Sequence, residues 1–277
     1  MNRANNELFL GVMGLLLLFA PAACLPPTTV PIDAIRYPGS TAPAATMLLV
    51  FLPGRGDDMT VFKDKGLVDA VRTRGLDADM IAVNAHLGYY LEGTVFTRIK
   101  KDIIEPAKAR GYHRIWLVGN SLGGYGSVSY ARQFPEDIEG VVLLGPFLGK
   151  DEVIDEIKSA GGISKWHPSE IRKKTEDEWD KQLWLWIKDN IEQEKFRRTD
   201  CDRGKACAPR VYLGYGSSDR FSGEQAYLAS LLPPSHVKTI RGGHDWRTWG
   251  KLWSMFLDAG IFRNDRQTGL PVREVKE

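Results

Sequence analysis

Apolar residues fall along this chain in short unbroken runs, separated by longer stretches of helical spacing. Residues 47–52 read Met-Leu-Leu-Val-Phe-Leu with no polar break, the pattern of a strand covered on both faces. Runs of the same kind occupy 80–83, 115–118, 141–144 and 211–213, and a weaker one covers 237–240. Helical spacing fills 61–74, 94–110 and 122–134, the last closed by Pro135. Residues 32–37 suit an earlier, antiparallel edge strand. Strands alternating with helices predict an α/β fold, a mostly parallel central sheet with helices on both faces.

One stretch breaks the alternation. Roughly sixty residues separate the strand ending near Pro146 from the one starting at Arg210, far more than an ordinary crossover needs. Within this insertion, at about 148–208, Thr175-Glu176-Asp177-Glu178 has the form of a capping box that opens a helix. Trp179, Leu183, Trp186, Ile187 and Ile191 then share one face, with Trp184 beside it. Two readings stand: a helix packed on the sheet, or a cap over a site, with its tryptophans lining a pocket.

The amino terminus carries a different pattern. Arg3 precedes an apolar run over 8–20, short for a membrane span and suited to a signal-peptide core, which makes residues 1–23 a leader and 24–277 the mature domain. Ala20-Pro21-Ala22 offers an A-x-A cleavage site and a soluble secreted product. Ala22-Ala23-Cys24 offers the end of a bacterial lipoprotein box, with Cys24 as a lipidated terminus, although Pro21 stands where that motif usually has Leu. The lipoprotein reading is preferred, which places the chain in the bacterial cell envelope on a lipid anchor. The tail after Phe262 is charged and expected to be a surface extension.

Composition narrows the class. The chain of 277 residues is 43% hydrophobic and 26% charged, enough for a large core and unlike a disordered chain. The net charge of +2 survives removal of the leader, which takes away one charge of each sign, Arg3 and Glu7. Basic residues form no stripe with interleaved aromatics. The run Arg172-Lys173-Lys174 is followed at once by Glu176-Asp177-Glu178, so no nucleic-acid partner is expected. Of three cysteines, Cys201 and Cys207 flank a short polar loop that a disulfide would close. Pairing them and lipidating Cys24 leaves no free thiol in an oxidising compartment. No histidine lies near them at zinc-ligand spacing.

The chemistry centres on Gly119-Asn120-Ser121-Leu122-Gly123-Gly124, between a predicted strand and a predicted helix. A G-x-S-x-G sequence in that setting is a nucleophile elbow: the serine sits in a strained turn, and the glycines prevent collisions where strand and helix cross. A serine hydroxyl needs a base, itself oriented by a carboxylate, and in such a sheet the order is serine, acid, histidine at the carboxyl ends of strands. His86 and His113 precede Ser121, His86 most simply capping a strand. His167 lies in the insertion, and His236 begins the last strand at the opposite edge. His244, in Gly242-Gly243-His244-Asp245-Trp246, follows that strand on the required side. Asp219 leaves the preceding strand in the loop 216–220 and stands in the acid's place, with Asp151 in reserve. Two backbone amides are needed for a developing oxyanion: that of Leu122, and that of Arg55 in Pro53-Gly54-Arg55-Gly56-Asp57. Gly-x-Gly there without a following Lys-Ser/Thr is too little for a phosphate cradle.

Taken together, these motifs resemble the α/β-hydrolase superfamily over about 47–256, and its esterase branches most, the esterase-D-like and carboxylesterase/thioesterase groups. Pro53 replaces the His often found before the oxyanion glycine, and the long charged insertion departs from compact members. The resemblance implies a cap position after the sixth sheet strand. It also implies a serine hydrolase acting on a small-molecule carboxylic ester, with Ser121, Asp219 and His244 as the triad and no metal or cofactor. Acyl transfer or thioester hydrolysis on the same triad is the alternative. A lipid-anchored binding protein that merely keeps the fold belongs to a different class, against which the three triad positions in register argue.

Overall fold

The apolar runs form the middle of one seven-stranded sheet. The computed structural model describes residues 26–39, 46–168, 176–192 and 208–263. Its strands are β1 (Ala34–Tyr37), β2 (Met47–Leu52), β3 (Asp79–Val83), β4 (Arg114–Asn120), β5 (Gly140–Leu144), β6 (Arg210–Gly216) and β7 (Val237–Ile240). In space they run β1-β3-β2-β4-β5-β6-β7. β1 pairs antiparallel with β3 at the edge, and the other pairings are parallel. The leader with Cys24, Thr175 of the capping box, Cys201 and Cys207, and the charged tail lie outside the described residues.

Successive residues of the central strands enter opposite cores. Leu48, Val50 and Leu52 join Leu117, Leu143 and Leu213 on one face, while Leu49 and Phe51 join Trp116, Val118, Val142 and Tyr212 on the other. Burial on both faces removes the polar alternation that a one-sided strand would show. The helices are α1 (Val61–Asp64), α2 (Leu67–Thr73), α3 (Leu87–Leu91), α4 (Val95–Arg98), α5 (Glu105–Ala109), α6 (Leu122–Gln133), α7 (Asp151–Ser159), α8 (Glu176–Glu192), α9 (Ser222–Leu231) and α10 (Trp246–Asp258). α6 gives Tyr125, Val128 and Tyr130 to the first core. α10 gives Trp249, Leu252, Trp253 and Phe256 to the second, a stripe at helical spacing.

Several elements differ from the expectation. The helix over 61–74 is two, because Gly66 at φ 80° turns the chain between α1 and α2. The helix over 94–110 carries a π-helical stretch, Ile99–Ile104, between α4 and α5. Pro106 explains it: the ring has no N–H to give and crowds the carbonyl four residues back, at Asp102 inside that stretch, so a wider turn relieves both. The short helix α3 and the insertion helix α7 were not expected.

The insertion leaves β5, the fifth strand of this chain and not the sixth, because a single edge strand precedes β2. Its helix α8 packs in the layer of α6, and Leu183, Trp184 and Ile187 are wholly buried there. Trp184, expected beside the apolar face, lies at its centre, with Trp179 and Trp186 half-buried at the margins. The Trp184 indole donates to Leu148 O at 3.0 Å, Lys150 N–H donates to an Asp180 carboxylate oxygen at 3.0 Å, and Lys188 Nζ donates to Trp166 O at 2.9 Å. Those bonds stitch α8 to the chain leaving β5. Trp184 is therefore part of the core.

Candidate active site

Ser121 separates β4 from α6 at φ 50°, ψ −118°, and among the described residues it is the non-glycine with positive φ. Such backbone costs about 1–3 kcal/mol and persists only where its surroundings dictate it. Here they do. Ser121 N–H donates to Leu144 O at 3.2 Å, and Ser121 O accepts from the amides of Gly124, Tyr125 and Phe147 at 3.0, 3.2 and 3.1 Å. A Cβ on Gly119 would stand 2.0 Å from Gly123 O, and one on Gly123 only 1.9 Å from Leu52 O. Both motif glycines are fixed by backbone meeting backbone, so the elbow can form only without side chains at those places.

The other two predicted side chains converge on the serine. His244 Nε2 lies 2.9 Å from Ser121 Oγ, and His244 Nδ1 lies 2.9 Å from each carboxylate oxygen of Asp219. The Asp219 side chain is fully buried, and one of its oxygens also accepts from Phe221 N–H at 2.9 Å. The loops after β6 and β7 touch through backbone: Ser218 N–H donates to Gly242 O at 2.9 Å, and a Cβ on Gly216 would stand 2.3 Å from that oxygen. Phe221 and Trp249 meet the imidazole edge-on, with centroids 5.0 and 4.9 Å away, and so fix its plane.

The remaining candidates lie elsewhere. Asp151, the reserve acid, opens α7 in an exposed position, and the carboxylate at His244 is that of Asp219. His86 caps the helix α3 and not a strand, its Nδ1 accepting from Gly88 N–H at 3.1 Å. His113 faces Gly111 O, His236 faces Val211 O, and His167 is exposed.

The loop after β2 reaches the elbow as expected. A Cβ on Gly54 would lie 3.3 Å from Ser121 Cβ. Asp57 N–H donates to Gly54 O at 3.2 Å and Gly56 adopts φ 87°, a tight turn with Arg55 in second place and its side chain exposed. The Leu122 amide opens α6 directly after Ser121, at the positive end of that helix. Sequence reasoning did not single out the residues around this centre: Asp57, Asn120, Phe221, Glu224 and Trp249. Asn120 is wholly buried without a hydrogen-bond partner for either side-chain atom, and Trp249 Nε1 and Glu224 Oε1 also lack one. Burial above all, with the nearby charges of Asp151 and Asp219, pushes the Glu224 carboxyl up to about 7 against its own backbone N–H. Asp57 and Asn120 sit inside the motifs themselves; Phe221 and Trp249 carry no sequence signal beyond closeness to Asp219 and His244. Among the described residues no group of His, Cys, Asp and Glu is placed to hold a metal ion.

The sheet order, the elbow at the end of β4 and the positions of Asp219 and His244 define the α/β-hydrolase fold. Solved structures agree. The chain is similar to the Staphylococcus aureus fluorophosphonate-binding serine hydrolase FphF, with TM-score 0.52, 13% identity, and 84% and 93% of the two chains covered. It is also similar to S-formylglutathione hydrolase FrmB from the same organism (TM-score 0.50, 13% identity, 79% and 82% covered) and to a ferulic acid esterase (0.50, 14%, 78% and 85%). Identities this low show the fold alone. By sequence, a segment of 59 residues is 39% identical to proline iminopeptidases of Neisseria gonorrhoeae and Neisseria meningitidis, covering 21% of this chain. The chain thus matches about a fifth, 19%, of the length of those curated relatives. No family model matches the chain.

Proposed function

We propose that this protein is a serine hydrolase of carboxylic esters, working through an acyl-enzyme on Ser121. The observation that carries the reading is the unbroken relay Asp219–His244–Ser121, each link at 2.9 Å. His244 Nε2 accepts the Ser121 proton as Oγ bonds to the acyl carbon, and Asp219 holds the imidazolium and its tautomer. The carbonyl oxygen, now an oxyanion, takes hydrogen bonds from the Leu122 and Arg55 amides. His244 then gives the proton to the departing alkoxide. Water, deprotonated by the same imidazole, attacks the acyl carbon and returns the serine. Half-buried Phe147 and Phe221, rings 5.5 Å apart, supply an apolar wall beside the reacting centre. That the solved neighbours include hydrolases and an esterase by name supports the class of reaction.

The test pairs a fluorophosphonate probe with a panel of esters of graded acyl length. Wild-type protein labels and turns over, and Ser121→Ala does neither. Failure of the wild type to label or hydrolyse any ester would leave the non-catalytic binding reading in its place. We also propose export, lipidation at Cys24 and a Cys201–Cys207 disulfide, from the leader pattern and cysteine parity. Intact mass of membrane-fraction protein would then show a diacylglycerol-bearing chain starting at Cys24. A soluble chain starting at Ala23 overturns the anchor, and alkylation of Cys201 without reductant overturns the bridge.

A further inference from the structure

Trp179, at the margin of the apolar face of α8, lines a cavity of about 510 Å³ that α3, α4 and the last turn of α6 also bound. That volume lies in the range of small-molecule sites. Its walls are aromatic. Tyr90 meets Phe96 edge-on at 6.5 Å, and Phe96 meets Trp179 at 6.2 Å with a tilt of 45°. Arg132 brings a positive charge to the same cavity. Its Nε is shut off from water and has no hydrogen-bond partner, while the residue as a whole stays half-buried. Among the described residues no carboxylate pairs with it. Glu92, the acid of the lining, is exposed and accepts from the Thr28 hydroxyl at 2.8 Å. The cavity is separate from the Ser121 centre: Arg132 follows Ser121 by eleven residues, about 16 Å along α6. A Cβ on Gly126 would stand 2.2 Å from the Tyr90 hydroxyl oxygen, so the tyrosine wall is laid against the helix backbone between the two places.

We propose that this cavity is a second binding site, which takes a small organic anion with a flat apolar body, an aryl carboxylate being the simplest. Arg132 would hold the anionic group, and Tyr90, Phe96 and Trp179 the body. The physical reason lies in what the guanidinium lacks. Taking a cation partly out of water without a counter-charge is costly, and a ligand anion that meets it relieves that cost through charge-assisted hydrogen bonds. A guanidinium presents its donors as a planar fork, which matches the two oxygens of a carboxylate. Three rings around the remaining space offer edges and faces to a planar apolar group. Charge and rings therefore select together, the one rejecting a neutral molecule and the other a bare ion. The inference goes beyond the ester-hydrolase reading and stands whether or not Ser121 acts as proposed.

The experiment titrates three compounds into the purified protein by ligand-observed NMR. 3-Phenylpropanoate carries both charge and ring, 3-phenylpropanamide keeps the ring and shape without charge, and acetate keeps the charge without the ring. The phenylpropanoate should bind with a Kd of about 1 mM or tighter, and the other two at least about 10-fold more weakly. Arg132→Gln should weaken the phenylpropanoate about 10-fold or more and move the amide by less than about 2-fold, so that the preference for charge disappears. Arg132→Lys should fall between, because an ammonium keeps the charge and loses the fork. Trp179→Ala should weaken acid and amide alike, by about 3- to 10-fold. Thermal melting checks that each variant folds. Should Arg132→Gln fail that check, the three compounds on wild type and the Trp179→Ala comparison decide the matter without it. Wild type that shows no saturable binding of phenylpropanoate below about 10 mM, or binds acid and amide equally, overturns the site. So does a folded Arg132→Gln that keeps the preference, since the acid would then be held elsewhere, the Ser121 centre included. An inactive wild type that still passes these tests would sink the hydrolase reading and leave this inference in place.

Discussion

The sheet carries two polar clusters, one at each end of its strands, and they are built on opposite rules. At the amino-terminal ends, Glu139 lies between Arg114 at the start of β4 and Arg210 at the start of β6. It accepts from Arg114 Nε and from the Trp116 indole, both at 2.9 Å, and pairs with Arg210. Arg114 also donates to Phe262 O at 2.8 Å, and the Arg210 guanidinium lies over the Trp116 ring. Burial alone would raise the Glu139 pKa, but Arg114, Arg210 and Trp116 hold it below the usual carboxylate range. At the carboxyl-terminal ends stand Ser121 in strained backbone, buried Asn120 and Trp249 with unpaired atoms, and Glu224 pushed up to about 7. One end sets its charges against opposite charges, with the buried Arg210 Nε left without a hydrogen bond. The other keeps strain and more of the unpaired polar atoms around the proposed nucleophile. A sheet of this kind can bear that because its helices and its far end supply the stability the site forgoes.

If that contrast is sound, changes at the two ends separate activity from stability. The largest effect is expected at Ser121. Ser121→Ala should lower kcat by about 10³-fold or more with thermal stability nearly unchanged, because the hydroxyl's task is chemical and alanine meets the same backbone. Residual activity above about a tenth would move the nucleophile elsewhere. Asp219→Asn should follow at about 10³-fold, through loss of the imidazole tautomer, whereas Asp151→Asn should stay within about 3-fold. The reverse ranking in purified variants would break the relay.

The opposite pattern is expected at Glu139. Glu139→Gln should leave kcat of the folded protein within about 3-fold and cost about 2–3 kcal/mol in denaturant unfolding, since it strands two guanidinia. That is under the figure for a fully dry pair, because the Glu139 side chain keeps 15% exposure. The sign with pH follows from the depressed pKa. Glu139 contributes its stability above its unfolded-state pKa and loses it as pH falls through the lower folded value. The gap between wild type and Glu139→Gln should therefore be full at neutral pH and shrink in acid. A gap that widens in acid would contradict the ion-pair account.

What was legible in the sequence divides along a similar line. Ser121, Gly119 and Gly123 could be read because the elbow's constraint is local: strain at one residue demands missing side chains two residues away on either side. The buried strands could be read because burial on both faces leaves an unbroken run. The clasp of Arg114, Glu139 and Arg210 left no trace, since its members are far apart in the chain and each looks like an ordinary charge at a strand start. Trp184 was misplaced for a related reason. Helical spacing gives a face, but Leu148 O and Tyr227, 5.7 Å from its ring, decided which part of that face went inward.

The smallest expected effect tests whether backbone or side chain matters at the oxyanion turn. Arg55 projects a charged side chain into solvent while its N–H is the proposed donor, so the two roles can be separated at one residue. Arg55→Ala removes the guanidinium and keeps the amide, and should lower kcat on neutral esters by only about 2- to 3-fold. Arg55→Pro removes the amide hydrogen from the second position of a turn whose third residue has positive φ, a place where proline fits the backbone. It should therefore keep the fold and lower kcat by about 10²-fold, the usual cost of one oxyanion donor. The measurement is kcat on a short neutral ester for both variants, with circular dichroism melting to check that the turn survives. If alanine costs as much as proline, the side chain does the work and substrate recognition by a guanidinium replaces the amide in the mechanism. If neither matters, the second donor lies on another residue of the site.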